Sequence, residues 1–157
     1  ELNKKYYDLS LKRTPEFKKT IFNENAANIK KLKLPKIAFS ISSPPYWDVL
    51  NRSTKDFKKD RSKDGFDVNY SEAEEDLGNI ANYDLFLEKL ANIYFDIFDL
   101  LKDGGYIVVI VKNIKKEGKM YPLAWDLARL LSKKYMLKDE KLWIQDKVGL
   151  APYGYPS

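Results

Sequence analysis

Four consecutive residues, Ser43-Pro44-Pro45-Tyr46, combine types that suit one reaction. The exocyclic amine of a nucleic-acid base is a poor nucleophile, because its lone pair is delocalised into the ring. Two acceptors aimed at its N–H groups favour the tetrahedral geometry needed for attack on an electrophilic methyl group, and they offset the developing positive charge. Ser43 Oγ can be one acceptor and the Pro44 carbonyl the other. Pro44 and Pro45 fix the backbone and carry no N–H to repel an incoming amine. Tyr46 offers a flat face for a base taken out of its stack, and Trp47 extends that wall. No general base is required, which suits a chain with neither His nor Cys. A Pro-Pro turn beside a core aromatic is the bland alternative.

The absence of Cys and His excludes disulfides, Cys/His zinc sites and mechanisms built on a thiolate or an imidazole. It also fits a reducing cytoplasm. Hydrophobic residues are 44% and charged residues 32% of the 157, a balance of folded rather than disordered chains. No apolar run approaches the roughly 20 residues of a membrane span. The net charge of +5 permits a polyanionic partner without requiring one.

The elements that must position the tetrapeptide follow from periodicity. Residues 37–41 read as a strand that Pro44 and Pro45 force out of the sheet. Residues 2–11 read as an amphipathic helix ending before Pro15, and 20–23 as a short strand. Residues 25–33 form a polar connection with helical spacing. The 3.6-residue period over 83–101 gives the clearest helix, with Asp103-Gly104-Gly105 as its cap. The β-branched run 106–111 suits a central strand covered on both faces. Residues 123–131 form a further helix, and 137–145 have strand character. Such alternation predicts an α/β fold with a mostly parallel sheet flanked by helices, whose ligands lie beyond the carboxyl ends of the strands. Those ends are Ser42-Ser43 and Lys112-Asn113; the second pair is read either as pocket lining or as a polar strand end.

Residues 48–82 form a long excursion from this pattern. Its first part carries Arg52, Lys55, Lys58, Lys59, Arg61 and Lys63 against Asp56, Asp60 and Asp64. These cations either track phosphates beside an extruded base or form a solvated charge run.

Ser-Pro-Pro-Tyr after a strand resembles the catalytic motif of the DNA amino-methyltransferases acting on cytosine N4 or adenine N6. Further stretches are similar to that family. They are the opening Glu1-Leu2-Asn3-Lys4-Lys5-Tyr6-Tyr7, then Asn23-Glu24-Asn25-Ala26, then Leu101-Lys102-Asp103-Gly104-Gly105-Tyr106. Two more are Tyr121-Pro122-Leu123-Ala124-Trp125-Asp126-Leu127 and Ala151-Pro152-Tyr153-Gly154-Tyr155-Pro156. The resemblance implies a Rossmann-like methyltransferase domain over 1–157, with S-adenosylmethionine as cofactor and DNA as substrate. A cognate restriction endonuclease is a possible partner. It places Glu1 on the cofactor ribose and Asn25 near its adenine, where the family usually has Asp. The family's Gly-rich cofactor loop would precede Glu1, and a closing strand or hairpin would follow Ser157. The expectation is therefore a domain incomplete at both ends that binds the cofactor weakly or not at all. Ser as the first motif residue is typical of the cytosine-N4 enzymes and Asp of the adenine-N6 enzymes. Enzymes that methylate RNA guanine N2 or protein glutamine use a similar pocket, and a non-catalytic nucleic-acid-binding fragment is the alternative from another class.

Overall fold

The computed structural model describes residues 1–47 and 76–143. Helix α1 (Lys4–Arg13) starts at Asn3, whose side chain accepts from the Lys5 N–H, an N-cap interaction. It stops at Thr14, ahead of Pro15. A 3-10 turn, Pro15–Thr20, follows. The strand expected over 20–23 does not form. Ile21 has an extended backbone, but no strand among the described residues pairs with it. A second 3-10 segment, Ala26–Leu32, is capped by Asn25, whose side chain accepts from the Ala27 N–H, and ends at Lys33 in the left-handed region (φ 49).

The central unit is β1 (Ile37–Ser42), helix α2 (Tyr83–Phe98) and β2 (Leu101–Val109), with β1 and β2 parallel. Phe39 pairs with Tyr106 and Ser42 with Val109. Between Ile37↔Leu101 and Phe39↔Tyr106 the register shifts, so β2 holds extra residues at Asp103-Gly104-Gly105. This corrects the expected role of the glycines. The helix has already closed at Asp99, and Gly104 (φ 73) bends the strand instead, as bulge glycines do. A β-hairpin not expected from the sequence follows: β3 (Ile114–Lys116) and β4 (Lys119–Tyr121) around Glu117 and Gly118, both at positive φ. Helix α3 (Leu123–Leu131) is the last helix or strand among the described residues. The strand expected over 137–145 is not formed within 132–143, where Leu142 and Trp143 are exposed.

The result is a mixed α/β arrangement with a two-stranded parallel sheet and flanking helices. Helix α2 buries Phe86, Leu87, Leu90, Ala91, Ile93, Tyr94 and Ile97, and α3 buries Leu123, Leu127 and Leu131. Ile107 and Val109 of β2 pack against this cluster. Their alternate neighbours Tyr106 and Val108 are exposed, as are Phe39 and Ile41 of β1. The expected cover on both faces is thus present on one face among the described residues. No helix among them is long and apolar enough to cross a membrane.

Candidate functional site

Because β1 and β2 are parallel, the tetrapeptide and Lys112-Asn113 leave the sheet at the same end. Ser43 is exposed, while Pro44, Pro45 and Tyr46 are half-buried. Ser43 Oγ lies 2.9 Å from Tyr46 Oη. The neighbouring Ser42 Oγ lies 2.8 Å from the buried Tyr94 hydroxyl. One serine therefore anchors the strand end to α2, and the next is presented outward. Tyr46 packs at the edge of the core, with Lys112 Nζ 5.5 Å from its ring centroid.

Trp47 is placed differently from expectation. It is 2% exposed, and its backbone takes φ 52 immediately after the tetrapeptide. Its ring sits 5.0 Å from that of Tyr83 and 4.8 Å from that of Tyr121. Burying so large an apolar surface favours the core, so Trp47 does not extend an open stacking wall. Sequence reasoning missed its partners, because Tyr83 and Tyr121 are 38 residues apart and only the folded chain brings their rings within 5.0 Å. The hairpin did leave a signal, Glu117-Gly118 as a two-residue glycine-containing turn, but its lysine-rich flanks hid the strands. Asn113 also has a defined role: its side chain accepts from the Ala124 N–H at 3.0 Å and caps the first turn of α3.

Glu1 and Asn25 come together on one cavity of about 380 Å³, with Thr20, Ile21, Phe22 and Ile29 among its walls. Asn23 staples the two segments, its side-chain amide donating to the carbonyls of Glu1 (2.9 Å) and Leu2 (3.1 Å). The Glu1 carboxylate accepts from the Asn3 N–H at 2.9 Å. Asn25 uses its side-chain oxygen on the Ala27 N–H, so its NH₂ is the group left to face a ligand. Glu24 accepts from the Asn28 side chain and the Asn25 N–H. These bonds hold its carboxyl below the usual carboxylate range. The lining mixes apolar side chains with two carboxylates, Glu1 and Glu24, the Asn25 amide and the Thr20 hydroxyl.

Burial, reinforced by Asp126, pushes the Tyr83 hydroxyl well up. Burial also raises Tyr94, against the opposing bond from Ser42. Both stay protonated at neutral pH and act as hydrogen-bonding groups rather than bases. Among the described residues no group of three or more acidic side chains is placed to hold a metal ion. Arg52, Lys55, Lys58, Lys59 and Arg61 lie outside the described residues, as do the rest of 48–75 and the 151–156 stretch. No family model, curated protein or solved structure matches the chain.

Proposed function

We propose that this chain is part of a Rossmann-like, S-adenosylmethionine-dependent methyltransferase that modifies the exocyclic amine of a DNA base in the cytoplasm, with cytosine N4 as the favoured acceptor. The observation that carries this reading is Ser43-Pro44-Pro45-Tyr46 leaving the carboxyl end of a parallel strand with the Ser43 hydroxyl exposed. When Ser43 Oγ donates to Tyr46 Oη across 2.9 Å, the serine lone pairs remain available as acceptors. They take one N–H of the incoming amine, and the Pro44 carbonyl takes the other. The nitrogen's own lone pair would then be directed at the methyl, whose bond to sulfur breaks as the N–C bond forms so that the sulfur departs as a neutral thioether, and the surplus proton would leave to water. Tyr46 supports the base by its ring face.

S-adenosylmethionine supplies an electrophilic methyl on a sulfonium. Glu1 would accept from the ribose hydroxyls, and Asn25 would meet the purine edge, since both already line one cavity. Arg52, Lys55, Lys58, Lys59 and Arg61 would serve the DNA backbone, and a restriction endonuclease would be a fitting partner for such an enzyme.

The test is nucleoside mass spectrometry of DNA incubated with the protein and S-adenosylmethionine. N4-methylcytosine is the expected product. N6-methyladenine would retain the chemistry and change the base. Product on RNA or protein alone would replace DNA as substrate, and product on none would end the methyltransferase reading.

A further inference from the structure

The chain between β2 and α3 carries Lys112, Lys115, Lys116 and Lys119 against one acid, Glu117. Three of these lysines sit over aromatic rings at the strand end that holds the tetrapeptide. Lys112 Nζ is 5.5 Å from the Tyr46 centroid, Lys116 Nζ is 4.9 Å from that of Trp47, and Lys119 Nζ is 4.9 Å from that of Tyr121. The Trp47 and Tyr121 rings are themselves 4.8 Å apart. Cations at such distances from a ring face are attracted by its quadrupole, so the rings gather these ammonium groups beside Ser43-Pro44-Pro45-Tyr46.

Lys116 and Lys119 face each other across the hairpin in register. Lys112 and Lys119 are exposed, and an ammonium over a ring keeps N–H donors for an outside acceptor. We propose that the β3–β4 hairpin, with Lys112 at its base, is a docking surface for the phosphodiester backbone of the nucleic acid whose base enters the tetrapeptide pocket. This rests on the nucleic-acid substrate of the proposed function.

The experiment is fluorescence anisotropy of the full chain with a short fluorescein-labelled DNA duplex across a range of KCl concentrations. Each lysine that neutralises a duplex phosphate contributes about 0.9 to the slope of log affinity against log salt. The variant Lys112→Gln/Lys116→Gln/Lys119→Gln is therefore expected to lose about 2.7 from that slope if all three act. The corresponding triple Arg variant is expected to keep it, which separates lost charge from lost fold. Removing three charges elsewhere, by Lys12→Gln/Lys18→Gln/Lys19→Gln, is expected to leave the slope unchanged. An unchanged slope in the hairpin variant, or an equal fall in both Gln variants, overturns the docking surface. Wild-type binding to phosphatidylserine vesicles without binding to duplex overturns it as well. The methyl-transfer reading is judged separately: methylated nucleoside with an unchanged slope removes only the hairpin's role, and hairpin-dependent binding without product removes only the chemistry.

Discussion

The hydrogen bond between Ser43 Oγ and Tyr46 Oη separates two roles that Tyr46 can have, a ring for stacking and a hydroxyl that orients the serine. Ser43→Ala deletes an acceptor for the amine, and turnover is expected to fall by about 10²-fold or more, by comparison with the loss of one oxyanion-type donor. Single-turnover methylation assays measure this, and a wild-type rate would remove Ser43 from the chemistry. Tyr46→Phe keeps the ring and frees the serine hydroxyl to rotate. Its expected cost is about 0.5–1.5 kcal/mol, the net worth of one hydrogen bond, seen in kcat with DNA affinity unchanged. Tyr46→Ala should weaken base capture by about 1–3 kcal/mol, seen in DNA binding. Identical behaviour of the two Tyr46 variants would refute this division. Asn25 allows a third substitution. Its side-chain oxygen is spent on the Ala27 N–H, and Asp would keep that cap while adding an acceptor for an adenine amine. Asn25→Asp should then tighten S-adenosylmethionine about tenfold, using about 1.5 kcal/mol for a charged hydrogen bond, as read by titration calorimetry. Weaker binding would remove the adenine contact. The position of the tetrapeptide at a strand end was legible because it depends on adjacent residues, an apolar run stopped by Pro44 and Pro45. The inward turn of Trp47 was not, because it depends on Tyr83 and Tyr121 supplied from elsewhere in the chain.

At the scale of elements, the two adjacent glycines of β2 face different constraints. A Cβ on Gly105 would lie 2.9 Å from the Lys102 carbonyl oxygen and 3.1 Å from that of Ala38, both backbone atoms. Gly104 has open space but sits at φ 73, where an L-residue costs about 1–2 kcal/mol. Gly104→Ala should destabilise by about that amount. Gly105→Ala must displace the Lys102 carbonyl within the bulge and crowd Ala38 of β1 beside it, at about 1–3 kcal/mol. It should also disturb the strand that delivers Ser43, so denaturant midpoint and turnover should both fall. Turnover kept in Gly105→Ala despite a lowered midpoint would show that the bulge does not set the strand end. The helices were legible because α2 and α3 repeat apolar residues at helical spacing, as in Leu123, Leu127 and Leu131. The glycine pair was assigned to a cap, since a helix end and a bulge both call for positive φ and only pairing with β1 distinguishes them. The residues over 20–23 have strand-like types and extended backbone at Ile21, but a strand also requires a neighbour, which local sequence does not specify.

Across the whole molecule, one face of the sheet is packed by α2 and α3 while Phe39, Ile41, Tyr106 and Val108 stand exposed on the other. The apolar run of β2 signalled burial on both faces, and that pattern carries no information about which segment supplies the cover. On the packed side, residues distant in sequence are tied to α2 by polar contacts. Lys30 meets Asp96 at 2.8 Å and Asp99 at 2.9 Å. Just beyond α3, Tyr135 Oη donates to the Tyr94 carbonyl at 2.5 Å. Lys30 and Asp99 are solvent-facing, so screening keeps their pairing worth little. The Tyr135 bond is better protected and has a pH signature. Burial, with Asp99 and Tyr94 nearby, pushes the Tyr135 hydroxyl up to about 12 from the ordinary 10.0. A raised value means that the folded state holds this proton more tightly. Its stabilisation is therefore complete below the unfolded value and is lost as pH rises from there through the folded value. The denaturant midpoint of the wild type should fall over that alkaline window beyond the fall shared with a Tyr135→Phe variant. At neutral pH the variant should lose about 0.5–1.5 kcal/mol for the missing hydrogen bond, and the two midpoints should converge as the wild-type hydroxyl ionises. Parallel curves at every pH would show that Tyr135 does not join the end of α3 to α2 through that proton.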